Sequence, residues 1–149
     1  MSTPLFPRHP VLLVDDEAGM RRILRMTLVM DGISNVAECS STADAHTWIG
    51  LRPVSVVILD LMMPGGSGLE LLYRIRQAAP RPSIIVISGL QDPETVRFCT
   101  EAGAVDYLVK PVDRSHLLSS VRKAIARWEQ EAGAQQEEAG GAPRPQGSV

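Results

Sequence analysis

The chain has 149 residues, a formal net charge of −2, 44% hydrophobic and 21% charged residues. That is about one domain of ordinary globular composition, which excludes a wholly disordered chain, a collagen-like repeat and a disulfide-rich scaffold. No basic surplus points to nucleic acid or an anionic membrane, and no apolar run approaches the ~18 residues of a membrane span.

The opening MSTPLFPRHP holds three prolines and no periodicity, so residues 1–9 read as an extended or flexible lead. It lacks the apolar core of a signal peptide. The two cysteines, Cys39 and Cys99, stand far apart with no Cys-x-x-Cys pair, which removes a zinc knuckle or thioredoxin-type site. Both read as small buried hydrophobes in a reducing compartment, and the expected location is cytoplasmic.

Val11–Val14 (VLLV) is predicted as a buried strand that runs into Asp15 and Asp16. A helix over 17–30 follows, with Met20, Ile23, Leu24 and Thr27 on one face and Gly32 as its stop. A short strand is expected at 35–39 and a helix at 42–51 capped by Ser41. VSVVILD at 54–60 is the most apolar strand and ends in Asp60, followed by a loop through Gly68. A helix at 69–79 is expected to turn Leu72, Ile75 and Ala79 inward, and IIVIS at 84–88 is the fourth strand, ending in Ser88. Asp92-Pro93 is a helix start, an N-cap with proline at the first helical position, and Gly103 ends that helix. The fifth strand, 105–109, leads directly into Lys110. Asp113 caps a last helix that presents Leu117, Leu118, Val121, Ala124, Ile125 and Trp128 on one face. Residues 129–149 are rich in Ala, Gly, Gln, Glu and Pro, carry four Glu against one Arg, and read as a low-complexity tail or linker. The folded domain is therefore placed at 10–128.

Apolar strands alternating with amphipathic helices predict an α/β fold: a (βα)5 doubly wound, parallel five-stranded sheet of order 2-1-3-4-5, flavodoxin-like. In a parallel sheet the strand ends lie on one edge. That edge then gathers Asp15, Asp16, Asp60, Ser88 and Lys110 at the point where the connections reverse direction. Three adjacent carboxylates repel one another, and a single lysine leaves an excess of negative charge. A hard divalent cation such as Mg²⁺ fits the remainder. Thirteen of the 15 basic residues are arginine, so Lys110 is one of only two lysines.

With these residues in place, the chain resembles the response-regulator receiver domain of two-component signalling. The matching stretches are LLVDDE (12–17), VVILDLMMPGGSGLELL (56–72), IIVISG (84–89) and GAVDYLVKP (103–111). The resemblance implies that Asp60 accepts a phosphoryl group from a sensor histidine kinase or phosphotransfer protein. It implies that Asp15, Asp16, Asp60 and the backbone carbonyl of Met62 hold Mg²⁺. Lys110 and Ser88 would contact phosphoryl oxygens, and the Lys110–Pro111 bond would be cis. Ser88 and Tyr107 would form a switch whose surface, the last two helices and the fifth strand, meets a downstream protein or an output domain absent from this chain. A homodimer stays open, and neither direct nucleic-acid binding nor a membrane role is expected. The domain is then a phosphoacceptor signalling module that assists its own phosphotransfer and slow dephosphorylation, and not an enzyme acting on an external substrate.

There are departures from the common pattern. Ser67 replaces the loop Asp that usually follows the Met-Pro pair. The hydroxyl expected to sense the phosphate is Ser88 and not the also common Thr. The resemblance also implies that the side chains two residues after Asp60 and Ser88, here Met62 and Leu90, flank the approach of a hydrolytic water; both are apolar where a polar group would orient it, so a long-lived phosphorylated form is expected. A haloacid-dehalogenase-type phosphatase would need an acid at position 62, which is Met62. A flavodoxin would need a phosphate loop after the first strand, where this chain is acidic. A degenerate, purely docking receiver is opposed by the intact set Asp15, Asp16, Asp60, Ser88 and Lys110.

Overall fold

The computed structural model describes residues 3–64, 68–78 and 80–140, with the side chains of the last helix described to residue 133. Its strands are β1 Val11–Val14, β2 Val36–Cys39, β3 Val56–Asp60, β4 Ser83–Ser88 and β5 Ala104–Val109. The helices are α1 Ala18–Met30, α2 Thr42–Leu51, α3 Gly68–Ile75, α4 Pro93–Glu101 and α5 Arg114–Gly140. All strand pairs are parallel, and the order is β2-β1-β3-β4-β5, as the alternation of elements predicts.

Side chains of a strand alternate between faces, and here both faces are apolar because helices cover both. Leu12, Val14, Val57, Leu59, Ile84 and Val86 pack with Ala45 of α2, Leu71, Leu72 and Ile75 of α3, and Cys99 and Ala102 at α4. The alternate residues Val11, Leu13, Val56, Ile58, Ile85 and Ile87 pack with Leu24 and Leu28 of α1 and Leu117, Val121, Ala124 and Ile125 of α5. The site therefore rests on central strands whose side chains are held from both sides. Both cysteines are free and buried, and burial pushes the Cys39 thiol up to about 11.

The helix starts follow their cap residues. Ser41 Oγ accepts the Asp44 N–H at 3.1 Å, and Asp113 Oδ2 accepts the His116 N–H at 2.8 Å. Asp92 Oδ2 accepts both the Thr95 N–H at 3.0 Å and the Thr95 hydroxyl at 2.6 Å. Gly103, with φ of +105°, turns α4 into β5 in a conformation that a side chain would strain.

Several expectations need correcting. Ile23 is exposed, at 61%. The inward stripe of α1 instead steps by four through Met20, Leu24 and Leu28, which leaves Ile23 on the rim. Helix α3 ends at Ile75, and Ala79 lies outside the described residues, as does Ser67. Helix α5 continues past Trp128 to Gly140. The run of Glu, Gln and Ala there has high helix propensity, and the first proline after it is Pro143.

The described part of the lead, residues 3–9, has no regular secondary structure, yet it is tied down. The Phe6 carbonyl accepts the N–H groups of Ser34 and Asn35 at 2.7 and 2.9 Å. Asn35 Nδ2 donates to the carbonyls of Pro7 and Arg8 at 2.9 and 3.1 Å. The His9 ring meets Trp128 edge-on, with centroids 5.0 Å apart. On the other side of the same loop, Arg122 of α5 binds the backbone carbonyl of Asp31 and, at 2.8 Å, its carboxylate.

Candidate functional site at the carboxyl edge of the sheet

The paired central strands β1 and β3 deliver the acids. Asp15 follows β1 directly and is 2% exposed; Asp60 ends β3 and is 4% exposed. Asp16 is exposed. One carboxylate oxygen from each of the three lies within 4.8 Å of the others. Lys110 arrives from the end of β5, where its own N–H bonds the Ser88 carbonyl at 2.9 Å. Its Nζ lies 3.3 Å from Asp60 Oδ2 and 3.5 Å from Asp15 Oδ2, so one ammonium bridges two buried carboxylates. The Lys110–Pro111 bond is cis.

The remaining carboxylate oxygens are held by backbone. Asp15 Oδ1 accepts the Glu17 N–H at 2.9 Å, and Asp60 Oδ1 accepts the Met62 N–H at 3.0 Å. The Met62 side chain points out, 61% exposed. Gly68 lets α3 start against this turn: a Cβ there would sit 2.8 Å from the Leu61 Cα and 3.2 Å from the Asp60 carbonyl oxygen.

Burial raises the Asp15 carboxyl above its ordinary range, against the pull of the Glu17 N–H and of Lys110. For Lys110, burial disfavours the ammonium, but the charges of Asp15 and Asp60 together outweigh it and the net direction is upward. The site thus holds three acids against one cation. All its charged oxygens are hard donors of the kind that suits Mg²⁺ or Ca²⁺. The arrangement is one that could hold a metal ion.

Ser88 is fully buried at the end of β4, and its Oγ accepts the Leu90 N–H at 3.1 Å. The Leu90 carbonyl in turn accepts the Tyr107 hydroxyl at 2.7 Å. The half-buried Tyr107 ring leans on the buried cluster beneath α4. Burial raises its hydroxyl pKa, with the neighbouring Ser88 side chain pulling the other way. The structure therefore brings together Asp15, Asp16, Asp60 and Lys110, and links Ser88 to Tyr107 through one residue, Leu90.

One contact has no counterpart in the sequence reading. Arg21 Nη1 donates to the Asp15 carbonyl at 2.7 Å, and its Nε donates to Glu38 of β2 at 3.1 Å. Arg21 is one of thirteen arginines, and nothing in its local pattern sets it apart.

Comparison with known proteins agrees with this geometry. A family model for the response regulator receiver domain matches residues 11–122. The hydrogenase transcriptional regulatory protein HoxA of Cupriavidus necator is 40% identical over 116 residues, 77% of this chain and 24% of that protein. The chain thus spans about a quarter of that relative's length. The chemotaxis protein CheY of Bacillus subtilis is 32% identical over 117 residues, covering 78% of this chain and 98% of CheY. The crystal structure of a response regulator from Thermotoga maritima superposes with a TM-score of 0.71 at 30% identity, over 79% of this chain and 98% of that one. Among the described residues no helix is long and apolar enough to cross a membrane. The matched stretch contains every strand and the whole acidic edge, and the chain belongs to the response-regulator receiver domain family, the signalling domain of two-component systems.

Proposed function

We propose that this domain accepts a phosphoryl group on Asp60 from the phosphohistidine of a sensor kinase or phosphotransfer protein, in a Mg²⁺-dependent reaction, and so switches a partner-binding surface. The observation that carries the reading is the buried Asp60 beside Asp15 and Asp16, with Lys110 Nζ bridging Asp60 and Asp15. Asp15, Asp16, Asp60 and the Met62 backbone carbonyl would hold the cation. When bound, Mg²⁺ neutralises the carboxylates and the phosphoryl oxygens against one another.

The residues divide the work. An Asp60 oxygen attacks phosphorus in line, an O–P bond forms, the P–N bond to the imidazole breaks, and the imidazole leaves with its proton. Little covalent help is needed, because positioning and charge neutralisation supply most of the rate. Lys110, a compact and mobile point charge, leaves its carboxylate partners for a phosphoryl oxygen. Ser88 offers its hydroxyl to another. The Ser88–Leu90–Tyr107 chain then carries the signal: a Ser88 drawn toward the phosphoryl group pulls the N–H of Leu90, the residue whose carbonyl anchors the Tyr107 hydroxyl. Phe98 of α4, 47% exposed, lies on the face this rearrangement would present to a partner.

Incubation with acetyl phosphate or phosphoramidate and MgCl2 tests the reading. One phosphoryl group should map to Asp60, with labelling abolished by EDTA and by Asp60→Asn. Amide NMR signals along 88–112 should shift on phosphorylation. Labelling that persists in Asp60→Asn refutes the assignment. An unmodified wild-type protein favours a docking module without phosphotransfer.

A further inference from the structure

We infer that Arg21 is a positioning residue for the metal-binding carboxylates, acting through the backbone of Asp15 and itself oriented by Glu38. The inference rests on the cation site proposed above.

Asp16 makes no hydrogen bond or ion pair among the described residues, and it is exposed. Its carboxylate nevertheless stands within 4.8 Å of the oxygens of Asp15 and Asp60. Something other than its own contacts must aim it. The peptide group is planar, so the direction of the Asp15 carbonyl fixes the plane from which the Asp16 Cα departs. Arg21 Nη1 grips that carbonyl at 2.7 Å, a charge-assisted bond at the short end of the range. On the other side of the residue, the Asp15 N–H bonds the Cys39 carbonyl of β2 at 3.2 Å, and Asp15 Oδ1 takes the Glu17 N–H. Arg21 completes the set of restraints at the point where strand gives way to helix.

The surroundings favour this role. Glu17, the residue before α1, makes no side-chain capping bond, so the turn between β1 and α1 is not fixed by a helix cap of its own. Arg21 sits one turn into α1, its side chain 17% exposed, and reaches back to the strand end. Glu38 takes Arg21 Nε on one oxygen at 3.1 Å and Arg25 Nε on the other at 2.6 Å. A guanidinium held at Nε by an edge strand and at Nη1 by a carbonyl is fixed in direction, and its planar fork makes both contacts at once. A lysine could make either one, but not both in that geometry.

The alternative is that Arg21 acts only as a charge, and the two roles predict opposite signs. A cation beside a cluster of carboxylates competes with Mg²⁺. If charge were all that mattered, Arg21→Met would tighten Mg²⁺ binding and Arg21→Lys would leave it unchanged. If Arg21 positions the acids, both substitutions weaken it. Groups that orient metal ligands typically contribute 10–100-fold to affinity. Because Arg21 holds a peptide and not a ligand oxygen, we expect the low end, about tenfold for Arg21→Met, with less for Arg21→Lys and for Glu38→Gln.

The experiment is a MgCl2 titration of the unphosphorylated protein, followed by amide NMR signals of residues 15–17 and 60–62, with thermal midpoints in EDTA as the measure of folding. The expected result is weaker Mg²⁺ binding in Arg21→Met and Arg21→Lys, larger than their thermal midpoints explain. Should Arg21→Met fail to fold, Arg21→Lys decides by the same criterion. Unchanged or tighter binding in the folded variants overturns the positioning role while leaving the cation site standing. A wild-type protein whose signals ignore MgCl2 overturns both.

Discussion

With Asp60 phosphorylated as proposed, Met62 and Leu90, two residues after Asp60 and Ser88, would be the side chains that flank the route of a hydrolytic water to the phosphoryl group. Both reach solvent, at 61% and 36% exposure, so both can stand in that route. Neither a thioether nor an isobutyl group orients water usefully. An amide or carboxylate there could accept or donate a hydrogen bond in the line of attack. About 1.4 kcal/mol of lost orientation slows the step roughly tenfold. The phosphorylated protein should therefore persist for longer than seconds, and Met62→Asn, Leu90→Glu and the double variant should shorten its lifetime, measured by loss of phosphate from purified protein. Polar variants that fail to accelerate the loss would show that the two side chains have no kinetic part. At this scale the strand-end residues are legible from sequence because each acid, hydroxyl or ammonium breaks an apolar run at its end. Arg21 is not: its partners are a backbone carbonyl and a glutamate on another strand, and neither leaves a pattern around position 21.

Among the elements, α3 depends on one missing atom. A Cβ on Gly68 would lie 2.8 Å from the Leu61 Cα, and backbone cannot give way as a side-chain tip would. Gly68→Ala should cost about 1–3 kcal/mol, the usual range for overpacking, read as a lower urea midpoint at unchanged slope. It should also impair phosphorylation, because the displaced backbone is that of Asp60 and Leu61. Helix α4 offers a test in pH. The Thr95 hydroxyl and N–H stabilise the ionised Asp92 carboxylate, so its pKa is lowered from 3.8 in the folded state. The cap's contribution is thus present above that value and is lost as pH falls through the lower folded one. An NMR titration of the Thr95 amide should show a midpoint below 3.8, and Asp92→Asn should abolish that titration. The caps of α2, α4 and α5 are readable from Ser41, Asp92 and Asp113 because capping is local chemistry. The inward face of α1 is not, because Ile23 and Leu24 are both large and apolar and only the packing of the helix on the sheet and α5 decides which is covered. The stop of α5 is likewise hidden, since a helix-favouring composition continues past the last core residue, Trp128.

For the molecule as a whole, strand order follows from the alternation of apolar runs and helical stripes, and the carboxyl-edge location of the acids follows from strand order. The opposite edge is less legible. The lead, the turn at 31–35 and α5 are joined there mostly by bonds to backbone carbonyls, between partners 27, 28 and 91 residues apart. Three prolines within the first ten residues suggest loose chain, while the single amide of Asn35 holds two carbonyls of the lead. This closure has an optical consequence. Trp128 is 6% exposed, and among the described residues the aromatic ring against it is that of His9. Trp48, the other tryptophan, lies across the sheet beside Arg52. The indole of Trp128 should therefore report whether the lead is docked. Deleting residues 1–9, or replacing Asn35 by Ala to release them, should shift its emission to the red and open it to quenching by acrylamide, with Trp48→Phe as the background that isolates the signal. Emission unmoved by the deletion would mean that Trp128 is shielded by α5 and the sheet alone.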